Sequence, residues 1–239
     1  MAKARAIVLH SIKYGETQLI VDVFTDTNGF LSFIVKIPKS AKSRMKRQYF
    51  QPLSLLSIEF DYRPKANLQH FKDVSIAVPF ISIPFSPYKL SISIFLAELL
   101  DVCLRNEQKN ESMFLFVFNS ILWLDKAEKA CANFHVVFMM RLTIFMGFFP
   151  NIEEQAGRYF DLQEGCFVNY VPVHSFFLNT EDSTRLRQLF RLRYETMHLY
   201  AMSREERNRC VDVILSYYRL HVSGFSDLKT YSVLKELFV

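Results

Sequence analysis

Three prolines within nine residues divide the chain into two parts of different character. Pro79, Pro84 and Pro87 exclude both a regular central strand and a helix interior here, because proline lacks a backbone N–H and fixes φ. Before them the sequence alternates as short strands do, and after them it has apolar runs typical of buried helices. We therefore predict one domain at residues 1–80 and a second at residues 81–239.

The first 80 residues predict five strands. Asn28-Gly29 is a hairpin signal between the second and third, because both residues tolerate positive φ. The predicted strands run from Ala4 to Ile12, Thr17 to Thr25, Phe30 to Ile37, Leu53 to Tyr62 and Leu68 to Val78. Five short antiparallel strands of this kind favour a small Greek-key barrel of the OB type.

The second domain is predicted to be helical. Ser86 and Pro87 suit the start of a helix that continues to Leu104, and Ser203-Arg-Glu-Glu206 is a capping box for another. Further helices are expected at Ser112 to Leu124, Ala130 to Met146, Asp182 to Met197 and Tyr231 to Phe238. Tyr159 to Phe177 looks irregular or hairpin-like, so we expect a small irregular insertion at about residues 151–178. The predicted fold class is therefore α+β: a five-stranded OB-fold barrel, then an all-helical domain that contains this insertion.

A basic segment lies inside the strand-rich half. Between Thr27 and Ile58 there are six Lys and Arg residues and no Asp or Glu, and two aromatic residues follow the cations at once. Cations that neutralise phosphates beside rings that stack on bases are the combination used by binders of single-stranded nucleic acid. The candidate DNA-binding residues are Lys36, Lys39, Lys42, Arg44, Lys46, Arg47, Tyr49 and Phe50, with Tyr14 as a further ring. The alternative is a solvated loop between two strands.

The net charge is concentrated at one end of the chain. The formal net charge is +5, but residues 1–80 carry 12 Lys and Arg against 6 Asp and Glu, whereas residues 81–239 carry 17 against 18. Because the excess sits in one predicted domain, a polyanion partner explains it better than solubility does.

The sequence predicts neither catalytic residues nor a cofactor or metal site. With six glycines in all it has no phosphate-binding glycine loop, and its six histidines are scattered. The four cysteines, Cys103, Cys131, Cys166 and Cys210, lack the spacing of zinc ligands and are expected to be reduced, packed thiols. A metal-dependent nuclease would need clustered carboxylates, which the sequence does not show. We therefore expect a protein that is not an enzyme.

The start of the chain has too short an apolar run for a secretory signal, so a cytoplasmic protein is expected. The most membrane-like stretch, Ala130 to Ile152, is interrupted by polar residues and Pro150. It is better explained as a buried helix and its exit than as a membrane span of about 20 apolar residues.

Several short motifs occur in a characteristic order. The first are Val8-Leu-His-Ser-Ile-Lys-Tyr14-Gly15-Glu16-Thr17, Val23-Phe24-Thr25 with Gly29, Lys42-Ser43 and Gln51-Pro52-Leu53; later come Glu98-Leu99-Leu100, Phe114 to Leu124 and Gly147-Phe-Phe-Pro150. In order and spacing, over the whole chain, they resemble the bacterial recombination mediator family RecO. One departure is clear: many members carry a four-cysteine zinc module after the last motif, whereas residues 151–170 hold only Cys166. Because of this departure, we expect an insertion that is held by packing instead of zinc.

The resemblance also implies a function. Members of the family bind DNA without sequence preference through an N-terminal OB-fold domain and anneal complementary strands. They engage RecR and the single-strand-binding protein (SSB), and they help RecA to load on coated single strands. The implied location is the bacterial cytoplasm, in association with the nucleoid.

A partner tail ending in acidic and apolar residues would need a groove with a cation at its lip. Arg141, with Phe138 and Leu142, is the candidate partner-binding site; the alternative is an arginine whose stem covers its own helix. A rival to DNA binding as a whole is a protein-only adaptor whose basic loop docks an acidic partner.

Overall fold

A computed structural model describes residues 1–37, 46–128, 131–152 and 157–237 of the chain. The chain forms two compact units. The first consists of Met1–Lys126 with Leu228–Leu234, and the second of Ala127–Asp227 with the residues from Lys235 onward. The first two long helices belong to the same unit as the N-terminal strands, so the domain division expected at residue 80 stays a prediction.

The N-terminal part of the first unit is a five-stranded OB-fold barrel, as predicted. Its strands are β1 (Ala2–Tyr14), β2 (Gln18–Thr25), β3 (Gly29–Lys36), β4 (Leu55–Phe60) and β5 (Phe71–Val78). They follow the order β3-β2-β1-β4-β5, and neighbours are antiparallel. A parallel bridge closes the barrel, since Ile34 N–H donates to the Gln69 carbonyl (3.0 Å) and Gln69 N–H donates to the Ser32 carbonyl (2.8 Å).

Alternation along the strands builds the barrel core. Leu19, Val21 and Val23 of β2 are buried, whereas the residues between them face outward or are partly exposed. Opposite strands supply aromatic rings, and Phe33 stacks on Phe71 with ring centroids 4.0 Å apart. The turn between β2 and β3 uses Gly29 at φ 72°, a left-handed conformation that disfavours any residue with a Cβ.

Helices α1 (Pro87–Leu104) and α2 (Glu111–Lys126) follow the barrel in the chain and belong to the first unit. The predicted start of α1 is confirmed, because the Ser86 hydroxyl accepts from the Lys89 N–H and Pro87 occupies the first turn. The proline-containing segment before α1 is held by Asp125, whose carboxylate accepts the N–H groups of Ile81, Ser82 and Ile83, each at 2.9 Å. One side chain thus fixes the connection between the barrel and α1.

The second unit is mainly helical, with α3 (Phe134–Phe145), α4 (Thr180–Leu189) and α5 (Arg204–His221). The capping box at the start of α5 is present, with Ser203 and Glu206 each accepting the other's backbone N–H. Between α3 and α4 lies a small antiparallel sheet of β6 (Tyr159–Asp161), β7 (Cys166–Val168) and β8 (Phe177–Leu178), in the order β7-β6-β8. The last helix, α6 (Thr230–Leu237), begins in the first unit and ends in the second.

The small sheet is organised by aromatic packing and by one carboxylate. Phe160 and Phe167 pack edge to face at 5.0 Å, and the Arg187 guanidinium lies 4.3 Å from the centre of the Phe167 ring. Asp161 accepts the N–H groups of Gln163 and Glu164, which fixes the β6–β7 turn. These contacts are of the kind expected for an insertion held by packing.

The prediction for the fourth helix was wrong at its C-terminal end. It extended to Met197, but α4 ends at Leu189. Tyr194 instead stacks on Phe134 at 4.8 Å, and Met197 is fully buried in a short 3-10 helix. The Asn133 side chain donates to the carbonyls of Met197 and Tyr200, so packing against the start of α3 ends the helix where local propensity would continue it. Among the described residues, no helix combines the length and the hydropathy that crossing a bilayer requires.

Candidate nucleic-acid interface

Three of the six predicted cations lie in the described part of the chain. Lys36 is the last residue of β3, and Lys46 and Arg47 lie at the start of a short 3-10 helix, Arg47–Phe50; all three are exposed. Ile37 and Tyr49 pack against the barrel core, so both short stretches lie against the same barrel. Lys39, Lys42 and Arg44 are outside the described residues.

These three cations differ from other basic residues of the barrel in their electrostatic environment. Lys36, Lys46 and Arg47 form no ion pair with another described residue. Lys3 and Lys72, by contrast, pair with Glu59 at 2.6 Å and Asp61 at 2.8 Å. The hydrogen bond and the charge of Glu59 raise the pKa of Lys3 above its ordinary value. The charges of Lys36, Lys46 and Arg47 are therefore available for an external anion.

The two rings predicted to stack on bases have different positions. Phe50 is 1% exposed and lies 5.9 Å from Phe71 in the barrel core. Its ring is inaccessible to a base, so the stacking role predicted for Phe50 is wrong: an aromatic residue after a cation run was assigned to the surface, but it anchors the segment. Tyr49 is half-buried, and its ring lines a surface groove.

This groove has a volume of about 440 Å³. One side is formed by the segment after Arg47 and the other by the end of β5, the proline-containing connection and α1. The lining side chains are mainly apolar: Gln48, Tyr49, Gln51, Pro52, Ser54, Leu55, Ile76, Val78, Pro79, Phe80, Ile83, Pro84 and Leu90. The groove has the size of a ligand-binding cavity, and its first lining residue, Gln48, directly follows the cations Lys46 and Arg47 in the chain.

One wall of this groove was not predicted from the sequence. Pro79 and Pro84 were recognised only as a boundary, although they and Phe80 line the cavity. Their position depends on Asp125, more than 40 residues later in the chain, which accepts hydrogen bonds from the backbone between the two prolines. The available signal was the run of apolar residues between the prolines, where Ile81 is 70% exposed and Phe85 81% exposed.

A second exposed ring lies on the same sheet as Lys36. In the strand register, Tyr14 of β1 pairs with Gln18 of β2, and Gln18 pairs with Lys36 of β3. Tyr14 is 53% exposed and is two strands from Lys36, a separation of about 10 Å. Because residues that pair directly across antiparallel strands project to the same face of the sheet, Tyr14 and Lys36 lie in one row across three strands.

The partner-binding site predicted in the second unit is not an open groove. Phe138 is 1% exposed and Leu142 is fully buried, so both belong to the core of α3. Arg141 is half-buried, with its guanidinium 6.0 Å from the centre of the Tyr194 ring. The Arg141 side chain therefore lies against the Tyr194 ring of its own unit. The prediction failed because α3 is apolar around its whole circumference, so its sequence does not indicate an exposed face.

Family comparison agrees with the fold. The family model described as Recombination protein O N terminal matches residues 1–80, and the one described as Recombination protein O C terminal matches residues 84–230. The chain belongs to the RecO family. This confirms the resemblance noted in the sequence, and it makes the chain a protein of DNA repair and recombination.

Curated RecO proteins are similar over their full length. DNA repair protein RecO of Phocaeicola vulgatus is 46% identical over 239 residues, which cover 100% of this chain and 99% of the relative. That of Bacteroides fragilis is 45% identical over 240 residues with the same coverage. That of Flavobacterium psychrophilum is 37% identical over 238 residues, which cover 99% of this chain and 98% of the relative.

Proposed function

We propose that this RecO-family protein is a recombination mediator without enzymatic activity. In this proposal it binds single- and double-stranded DNA without sequence preference, anneals complementary strands, and helps RecA to load on single strands coated with SSB. The observation that carries the proposal is a set of exposed cations, without an ion pair to any described residue, next to an apolar groove on an OB-fold barrel. Lys46 and Arg47 adjoin the groove, and Tyr49 lines it.

The mechanism requires contacts with phosphates and bases only. Lys36, Lys46 and Arg47, with Lys39, Lys42 and Arg44 as predicted members of the same segment, neutralise backbone phosphates. A base enters the groove and stacks on Tyr49, which is a contact that tolerates any sequence because every base has a π face. Two strands held on one positive surface lose much of their mutual repulsion, which favours base pairing between them. Annealing therefore requires no covalent step.

The proposed partners follow from family membership. They are DNA, RecR and SSB, with RecA affected indirectly, and the proposed location is the bacterial cytoplasm at the nucleoid. A partner surface on the second unit around Phe138 and Leu142 is not part of the proposal, because both side chains are buried.

The test is annealing of complementary oligonucleotides, bare and coated with SSB, together with direct binding to a single strand at several salt concentrations. The test variant is K46A/R47A, and the matched control is K3A/K72A. Both remove two charges from the first unit, but Lys3 and Lys72 are paired with carboxylates. Loss of two phosphate contacts should make the slope of log K against log salt less negative by about 1.4 for single strands.

We expect the control variant to retain the wild-type slope and annealing rate. Equal slopes for wild type and K46A/R47A would contradict the assignment of these two residues. If replacement of all six cations of the segment by alanine left both affinity and slope unchanged, phosphate binding by the whole segment would be rejected.

The groove also favours a second candidate, the protein-only adaptor. An apolar groove with cations at its lip fits a partner tail that ends in apolar and acidic residues. A synthetic peptide of that composition would bind the wild type and not K46A/R47A, while an oligonucleotide would fail to displace it. Displacement of the peptide by single-stranded DNA would instead favour the nucleic-acid proposal.

A further inference from the structure

Three side chains of metal-ligand type meet on the outer face of the barrel, within the first unit. His10 of β1, Asp22 of β2 and Asp101 of α1 each contribute one ligand atom, and these atoms lie within 4.8 Å of one another. His10 is exposed, Asp22 is half-buried and Asp101 is buried. The cluster is therefore open to solvent on one side and closed on the other.

A β-bulge in β1 brings the first two residues together. The register with β2 shifts between Val8 and His10, and after the shift His10 pairs directly with Asp22. Bulges commonly redirect side chains in this way beside functional sites. His10 Nδ1 is 3.6 Å from Asp22 Oδ2, and Asp101 reaches the pair from the last turn of α1.

Each carboxylate has one oxygen held by a neighbour. The Ser32 hydroxyl donates to Asp22 Oδ1, and the Arg105 guanidinium donates to Asp101 Oδ2, both at 2.5 Å. The remaining oxygens are Asp22 Oδ2, which faces His10, and Asp101 Oδ1. This division is typical of metal ligands, whose orientation is set by hydrogen bonds from a surrounding shell of residues.

Asp101 Oδ1 is the independent observation that indicates a ligand. It is buried and has no hydrogen-bond partner among the described residues, and Asp101 as a whole is 7% exposed. A buried carboxylate oxygen without a partner is unfavourable unless a cation or a donor compensates it. Burial raises the pKa of Asp101 above its ordinary value, even though Arg105 opposes the shift.

We propose that His10, Asp22 and Asp101 bind one divalent transition-metal ion of the Zn²⁺ type through His10 Nδ1, Asp22 Oδ2 and Asp101 Oδ1. Ligand atoms about 2.0–2.2 Å from a tetrahedral Zn²⁺ are about 3.3–3.6 Å from one another. The observed 3.6 Å between His10 Nδ1 and Asp22 Oδ2 already has this value, and a shift of about 1 Å closes the set. Solvent on the exposed side of His10 supplies the fourth ligand.

The donor set selects among ions. One imidazole with two carboxylates suits Zn²⁺, Co²⁺ or Mn²⁺, whereas Mg²⁺ prefers oxygen ligands in octahedral geometry and keeps several waters. The ion would compensate two carboxylates of which only Asp101 has an arginine partner, Arg105. By joining β1, β2 and α1, it would also stabilise the first unit.

The test uses the untagged full chain and Co²⁺ as a spectroscopic probe, displaced by Zn²⁺. We expect one Co²⁺ per chain, with visible d–d absorption that saturates and disappears when Zn²⁺ is added. H10A and D101N should raise the midpoint of the titration at least tenfold. H70A, which removes an exposed histidine outside the cluster, should titrate as the wild type does.

A second measurement distinguishes loss of metal binding from loss of folding. Because His10 is exposed, H10A should unfold at the wild-type temperature in a chelator, and Zn²⁺ should raise the unfolding temperature of the wild type and H70A but not of H10A. Saturable binding that is equal in wild type, H10A and D101N would overturn the proposal. So would absence of stoichiometric binding in the wild type, or thiolate charge-transfer absorption, which would assign the ion to a cysteine.

Discussion

Replacement of Asp125 by asparagine tests how the groove wall is held. Asp125 Oδ1 accepts the N–H groups of Ser82 and Ile83, and Oδ2 accepts that of Ile81. An asparagine oxygen in the Oδ1 position keeps two of the three bonds but loses the charge. Its amide group then faces the Ile81 N–H, donor against donor.

The magnitude follows from these three bonds. Hydrogen bonds to a charged acceptor contribute about 1.5–3 kcal/mol and neutral ones about 0.5–1.5 kcal/mol, so the two retained bonds weaken by about 1 kcal/mol each. The Ile81 N–H adds little, because Ile81 is exposed and water can replace the lost acceptor. We therefore expect D125N to lower the free energy of unfolding of the first unit by about 2–3 kcal/mol at neutral pH.

The chain offers a local probe for this measurement. Its one tryptophan, Trp123, lies on α2 two residues before Asp125, so urea unfolding followed by tryptophan fluorescence reports on this unit. The matched control is D73N, which changes an exposed carboxylate of β5 and should alter stability by less than about 0.5 kcal/mol. A difference in the denaturant midpoint at constant m value measures the loss.

The pH dependence gives a second criterion. Burial alone would raise the pKa of Asp125, but the three backbone N–H donors and Lys89 hold it below the ordinary value of 3.8. A lowered folded-state pKa contributes stability that is complete above 3.8 and is lost as the pH falls through the folded-state value. The difference between wild type and D125N should shrink in that window. A D125N variant as stable as the wild type at neutral pH, or a difference independent of pH, would refute the reasoning.

Three further predictions concern the barrel and the second unit. G29A should lower the free energy of unfolding by more than the roughly 1–2 kcal/mol that left-handed backbone strain costs, because a Cβ at this position would also overlap the backbone of Gln108. Urea unfolding measures this loss, and a loss below about 0.5 kcal/mol would contradict the prediction. Y49A should weaken single-strand binding by about 1–3 kcal/mol. Because Tyr49 is only half-buried, Y49A should also cost less stability than F50A, which should lose about 3–5 kcal/mol; the reverse pattern in binding and unfolding assays would exchange their roles. Burial, and to a smaller extent the charge of Arg207, lowers the pKa of His135 to about 3. The free energy of unfolding of the second unit should therefore fall by up to about 1.4 kcal/mol per pH unit as the pH decreases below 6.5. Unfolding of H135Q at several pH values should show a smaller dependence of this free energy on pH.

The strands and the barrel could be predicted because their signals are local. Alternation in β2 and β4 and the Asn28-Gly29 turn are visible in short windows of sequence, and the observed strands agree with them within three residues at most ends. The start of α1 and the capping box of α5 were equally local. By contrast, the early end of α4 depends on Tyr194 and Met197 packing against residues about 60 positions away, which no window contains.

The candidate sites were harder to predict for the same reason. Both Tyr49 and Phe50 are aromatic residues that follow a run of cations, so the sequence does not distinguish them. Which of the two faces solvent depends on how the short 3-10 helix packs against the barrel. The cluster of His10, Asp22 and Asp101 joins positions far apart in the chain, through a bulge that shifts β1 by one residue. Ligand spacing along the sequence predicts sites on one hairpin or helix, but not one assembled by three elements.

The burial of Phe50 explains how a highly charged segment can present its cations in a fixed place. A 3-10 helix of four residues has too few hydrogen bonds to be stable alone, so its position must come from packing. Phe50 supplies it by entering the core beside Phe71, and the left-handed backbone at Leu53, φ 62°, then turns the chain into β4. Lys46 and Arg47 consequently lie directly before the groove-lining residue Gln48, with no carboxylate partner among the residues that the structure describes. In the proposed function, such a surface would bind DNA without sequence preference, because the core sets its shape and phosphate charge supplies the attraction.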